Sequence, residues 1–101
     1  MPKLYEYFGL VVLFYSNEHE PVRVHGLYHG RECRADFTIV NGKVVDVQYR
    51  SVKGRRPLEA SQLADFRAVV AAYSDEIVRK WVDYFVLHKA IQPERIDRRL
   101  R

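Results

Sequence analysis

Two alternating runs joined by a glycine turn constrain this chain more than any other feature of its sequence. Over residues 22–28, and again over residues 33–40, apolar or small side chains alternate with polar ones. This period of two is typical of a half-buried strand. The His29-Gly30 pair between the runs suits a two-residue hairpin turn with positive φ. The segment therefore predicts an antiparallel hairpin with one buried and one polar face.

The register of the hairpins follows from the need to keep one face apolar. The first turn pairs Val24 with Ala35. At the next turn, a strict two-residue loop ending at Gly42 would set Phe37 opposite Asp46 on the apolar face. We therefore expect a three-residue loop with Gly42 in a bulge, which keeps an apolar partner opposite Phe37.

The second half of the chain shows the period of amphipathic helices. The first helix is indicated by residues at spacings of three and four: Leu63, Phe66, Val70 and Tyr73. Ser74-Asp75 suggests a break and a new N-cap, after which Ile77, Trp81 and Phe85 recur every four residues. A proline at the first helical position suggests a short third helix at Gln92-Pro93-Glu94.

These elements predict an α+β fold in one domain, residues 1–101. Its sheet is a four-stranded antiparallel meander, and two C-terminal helices pack on one face of it. The strands are expected at residues 10–15, 22–28, 33–40 and 44–50. The basic tail, about residues 93–101, is expected to fray.

Positive charge is concentrated in one loop and one tail. The formal net charge is +4, and residues 50–56 alone contribute four basic groups and no acid. The nucleic-acid candidates are Arg50, Lys53, Arg55 and Arg56 in the loop, with Arg98 and Arg99 in the tail. Tyr49, just before the loop, could stack on a base. The alternative is that these groups only keep the protein in solution.

The polar face of the predicted sheet is a second candidate site. The register sets Arg23, Asp36 and Asp46 side by side, with His25 next to Arg34. Two carboxylates facing each other repel, and the neighbouring arginines would offset that repulsion. The row is therefore either an ordinary wet face or a docking surface for a cation or a partner.

Catalytic signatures are absent from the sequence, which disfavours an enzyme but leaves that question open, and we expect no cofactor and no bound metal. There is no glycine-rich phosphate loop and no nucleophile elbow. His19 and His25 lack helical metal-ligand spacing, and a single cysteine cannot build a structural zinc site. Cys33 alone also excludes an internal disulfide, which suits a reducing cytoplasm. No apolar run is long enough to span a membrane.

One segment resembles a known family. Residues 15–28 read Y-S-N-E-H-E-P-V-R-V-H-G-L-Y, similar to the Y-F-x-D-H-x-P-P-H-F-H-V-x-Y of the domain-of-unknown-function family 4160. The positions in common are His19, Pro21, His25 and Tyr28. Glu76 and Trp81 match the family's E-x-x-x-x-W. Arg23 replaces the middle histidine and cannot act as a neutral imidazole ligand.

The resemblance implies a small bacterial protein, often one half of a two-gene module suspected to be a toxin–antitoxin pair. Three hypotheses follow, in this order. The first is a non-enzymatic module that binds a protein partner. The second is a nucleic-acid-binding protein that uses the basic loop and tail. The third is a small metal-dependent enzyme built on His19, His25 and an Asp36–Asp46 pair. The sequence leaves the oligomeric state open.

Overall fold

In the described part of the chain, six strands form a single mixed sheet, on which one long helix packs. The computed structural model describes residues 2–17 and 21–101. The strands are β1 (Lys3–Tyr7), β2 (Leu10–Leu13), β3 (Arg23–Tyr28), β4 (Arg31–Val40), β5 (Lys43–Ser51) and β6 (Glu94–Ile96). Their spatial order is β5-β4-β3-β2-β1-β6, antiparallel throughout except for the parallel pair β1–β6. The α+β class is confirmed, but the four-stranded sheet is too small.

The two strands that the sequence missed lie side by side at one edge. β1 joins β2 through a tight turn in which Phe8 and Gly9 both have positive φ, the geometry of a twisted hairpin. The predicted third helix is wrong, because Glu94–Ile96 is the strand β6 and Ile96 is buried. Further along, the tail contacts β1. The backbone N–H of Leu100 donates to the Tyr7 hydroxyl at 3.0 Å.

The two predicted C-terminal helices are one helix. α1 spans Ala60–Trp81 and starts with a capping box between Glu59 and Gln62. Tyr73 alone has non-helical angles, φ −123° and ψ 22°, so the expected break is only a kink. The helix continues because Ile77 and Trp81 prolong the buried stripe, and packing outweighs the N-cap signal. A π-helical turn, Val82–Val86, follows.

The first hairpin has the predicted register, and the second differs by the position of its bulge. Val24 faces Ala35, as expected. The second turn has only two residues, and the bulge lies further along, where Thr38 faces Asp46. The displaced bulge brings Phe37 opposite Val47. Phe37 therefore still has an apolar partner, although the register differs from the predicted one. The predicted Asp36–Asp46 pair is therefore wrong.

The core lies between α1 and the apolar face of the sheet. Its fully buried helical residues include Phe66, Val69 and Ile77. The Phe66 ring lies directly over Gly26 of β3, at the centre of the sheet. A Cβ at Gly26 would stand 2.7 Å from Phe66 Cδ1. A glycine is therefore needed at this point because the helix approaches the strand so closely.

Gly26→Ala should lower the free energy of unfolding by about 1 to 3 kcal/mol through overpacking. Chemical denaturation measures it, and Phe66→Leu supplies the matched control. In the double mutant the smaller side chain at position 66 should return part of the loss. If the loss in the double mutant equals the sum of the two single losses, the two residues do not press on each other.

Candidate binding face on the sheet

Three arginines converge on one carboxylate on the polar side of β3, β4 and β5. Arg34 contacts both oxygens of Asp36, with Nε 2.9 Å from Oδ1 and Nη2 donating to Oδ2 at 3.1 Å. Arg50 Nε lies 3.2 Å from Oδ2, and Arg23 Nε lies 3.6 Å from Oδ1. These four side chains carry a formal net charge of +2, so the cluster presents positive charge to anything that docks on it.

The partners of Asp36 correct the predicted row. Arg23 faces Asp36 as expected, and His25 faces Arg34. Gln48, not Asp46, faces Asp36 from β5, and it accepts a hydrogen bond from Arg50. No second carboxylate therefore opposes Asp36, and the repulsion expected from the sequence does not arise.

A buried acid and imidazole pair lies beside this cluster. Nδ1 of His25 is 2.8 Å from Oε2 of Glu32, and both side chains are about 97–98% buried. Because a carboxylate oxygen only accepts, Nδ1 carries the proton and the tautomer of the ring is fixed. The Tyr15 hydroxyl donates to the same oxygen at 3.0 Å, and its ring meets the His25 ring edge-on at 4.3 Å.

The basic loop reaches the same pair. Arg55 Nε lies 3.0 Å from Oε1 of Glu32, so the two carboxylate oxygens both have partners. The chain beyond β5 is held here by the backbone, because the N–H of Glu32 donates to the carbonyl of Arg56 at 2.9 Å. Loop and sheet face, which the sequence presents as separate candidates, therefore form one continuous surface.

An open cleft of about 360 Å³ lies above the pair. It is lined by Tyr15, Asn17, His25, Glu32, Val52, Lys53 and Arg55. Charged and amide groups form much of its rim, and the buried pair forms its base. His19, the turn histidine singled out in the sequence, lies outside the described residues.

Glu32 is the site residue that sequence reasoning missed. It stands one place along β4 from Arg31, with its side chain on the same face as Arg34 and Asp36. The register sets it opposite Leu27, and hence diagonal to His25, within reach of a cross-strand contact. That diagonal was the available signal. Its burial could not be read from β4 alone, because Tyr15 and Arg55 supply the cover from elsewhere.

The remaining nucleic-acid candidates do not join this surface. Arg99 stacks over the Phe8 ring in the turn between β1 and β2, with Cζ 4.1 Å from the ring centre. Arg98 is exposed in the same tail. Tyr49, the proposed stacking residue, packs edge-on against Phe66 on the helical side and lies under Arg67.

The described residues offer neither a reactive thiol nor a grouped set of metal ligands. Burial raises the pKa of the Cys33 thiol, which keeps it protonated and a weak nucleophile. Within residues 2–17 and 21–101, no three His, Cys, Asp or Glu side chains are grouped so as to hold a metal ion. No helix in those same ranges is long and apolar enough to cross a membrane.

Comparison with known proteins gives one match. The model of a family described as a domain of unknown function (DUF4160) matches residues 9–82. That range covers β2 to β5 and all of α1, whereas β1 and β6 lie outside it. No curated protein matches the chain. No solved structure matches it either.

Proposed function

This chain belongs to the DUF4160 family of unknown function, and we propose that it is a non-enzymatic module that binds the acidic surface of a protein partner. The observation that carries the proposal is the group of three arginines around Asp36 on the open side of the sheet. We call this side of β3, β4 and β5 the arginine face.

The arginine face has the chemistry of a protein interface. Arginine is enriched in such interfaces because its planar guanidinium group forms paired hydrogen bonds with carboxylates. Asp36 already fixes these groups in place, so a partner would order fewer side chains on binding. Arg50 keeps about half of its side chain exposed and is the arginine most open to an incoming carboxylate.

Nucleic-acid binding is the less favoured alternative. An extended phosphate backbone needs several cations along one track, but Arg50 and Arg55 are paired with carboxylates and Arg99 stacks over the Phe8 ring. Base stacking by Tyr49 is disfavoured by its packing against Phe66. The loop alone would give weak, salt-sensitive and sequence-tolerant binding.

Arg50→Glu should weaken partner binding at least about tenfold, because it replaces an attractive contact with a repulsive one. The tagged protein is used to capture the partner from cells of the native host. The partner is then identified, purified and titrated against both variants. Arg79→Glu is the matched control, since Arg79 is exposed on α1 and the charge change is identical.

Unchanged affinity in Arg50→Glu, or an equal loss in Arg79→Glu, would remove the arginine face from the proposal. Capture that disappears after nuclease treatment would favour the nucleic-acid alternative instead. A partner encoded beside this chain, as in a toxin–antitoxin-like pair, would agree with the proposal. A cytoplasmic setting, which a single cysteine suits, is part of the same proposal.

A further inference from the structure

We propose that the cleft between Tyr15 and the turn at residues 52–55 binds the phosphate group of a small phosphate monoester. The proposal is independent of partner docking, because it concerns different side chains at the end of the arginine face. It rests on three features of the cleft: an arginine fixed by a buried carboxylate, a lysine beside it, and a rigid turn that carries both.

Arg55 is positioned so that the two terminal Nη groups of its guanidinium face the cleft. Its Nε is used by Glu32 at 3.0 Å, and no other contact of its side chain occurs in the described parts of the chain. The two terminal Nη groups are therefore available to an oxyanion. A guanidinium group with this pair of donors matches two phosphate oxygens at once.

Glu32 serves this arrangement by orienting Arg55. Burying a carboxylate is unfavourable unless its oxygens are fully hydrogen-bonded. Here Tyr15, His25 and Arg55 supply those bonds. The carboxylate lies beneath the cleft at only 2% exposure, whereas the Arg55 side chain is 44% exposed. The negative charge is thus covered, and the positive charge faces the solvent.

Lys53 adds a second cation from the same turn. The N–H of Arg55 donates to the carbonyl of Val52 at 3.1 Å, which closes a four-residue turn. Gly54, at the third position, has φ +79°, the conformation that such turns assign to glycine. Lys53 has no hydrogen bond or ion pair with the described residues, and it lines the cleft with Arg55. Arg55, held by Glu32, is the cation already in place, which lowers the entropy cost of binding, and Lys53 adds a second positive charge from the same turn.

The cleft is large enough for a small ligand. Its volume of about 360 Å³ lies at the lower end of the range for small-molecule sites. Asn17 on the rim can donate or accept hydrogen bonds from the part of the ligand beyond the phosphate. A nucleoside monophosphate has the appropriate charge and size.

The test is a titration of the purified chain with adenosine monophosphate, in which the NMR chemical shifts of the amide groups and arginine side chains are measured. Inorganic phosphate shows whether the anion alone suffices, and adenosine shows whether the phosphate is needed. Arg55→Ala should weaken binding at least about tenfold, since charged hydrogen bonds are the strong ones. Lys53→Ala should weaken it less. Arg56→Ala is the matched control, because Arg56 is exposed outside the cleft.

Each outcome decides the proposal. Selective loss in Arg55→Ala, with intact binding in Arg56→Ala and no binding of adenosine, supports it. Equal loss in both arginine variants, no phosphate-dependent binding, or affinity that rises with oligonucleotide length overturns it. Arg55→Lys keeps the positive charge but loses the paired Nη donors of the guanidinium. It serves as a control for loss of binding that is caused by misfolding. If it melts as the parent does but binds no better than Arg55→Ala, the paired Nη donors are what hold the phosphate. Arg50→Glu should leave this titration unchanged even if it abolishes partner docking.

Discussion

Trp81→Ala should lower the free energy of unfolding by about 3 to 5 kcal/mol. Trp81 is the last residue of α1, and its ring is 92% buried where the helix ends against the sheet. It packs on Phe85 at 5.1 Å between ring centres, and Phe85 in turn contacts Phe14 after β2 at 5.6 Å. Alanine would leave a cavity in this aromatic cluster. A loss of that size is a large share of the stability of a domain of 101 residues.

Urea denaturation monitored by circular dichroism measures the loss, because the tryptophan itself is absent from the variant. Val82→Ala is the matched control, since Val82 is the next residue but 37% exposed. Its effect should stay below about 1 kcal/mol. If the two variants lose the same amount, Trp81 is not an anchor of the core.

Glu32→Ala should cost about 3 to 5 kcal/mol, because it breaks a buried ionic network. It removes the carboxylate that the Tyr15 hydroxyl and Nδ1 of His25 contact, and Arg55 would lose its ion pair. Thermal and urea unfolding both report the change. Asp46→Ala removes an exposed carboxylate from the neighbouring strand and should stay within about 0.5 kcal/mol.

Glu32→Gln separates shape from charge, since the amide keeps one acceptor at nearly the same place. An intermediate loss would show that the carboxylate charge matters to Arg55. A loss equal to that of the exposed Asp46 variant would mean that the network contributes nothing to folding. Tyr15→Phe, combined with each Glu32 variant, measures the coupling between the hydroxyl and the acid.

The central hairpin could be predicted because one requirement dictates it. With a period of two, a one-residue slip between β3 and β4 would move Phe37 to the polar side, and the two-residue turn at His29-Gly30 sets the pairing, so burial and turn together select the register. The same requirement predicted an apolar partner for Phe37 but could not locate the bulge. The alternation is satisfied by a bulge at the turn and equally by a bulge two residue pairs away from the turn. The structure has the bulge away from the turn, between Thr38 and Ile39.

The missed elements have a common physical cause: their stability comes from contacts distant in sequence. β1 shows no clear alternation, and it is buried because it lies between β2 and β6. Ser74 is an ordinary N-cap residue by local preference, yet Ile77 and Trp81 need the helix to continue onto the sheet. Glu32 belongs to a site only after two remote segments cover it. Arg34 was predicted on the polar face, whereas Arg50 was predicted as part of the basic loop, because its place opposite Arg34 and its contact with Asp36 depend on the displaced bulge.

The parallel contact between β1 and β6 has a consequence for the order of assembly. It joins residues separated by almost the whole chain, with Tyr5 facing Glu94, so its formation carries the largest loop-closure cost in the sheet. The hairpins of β2 to β5 close short loops and can form first. We expect β6, a strand of three residues, to pair last and to detach first. Its detachment would uncover the edge of β1 and leave the arginine face on β3, β4 and β5 intact.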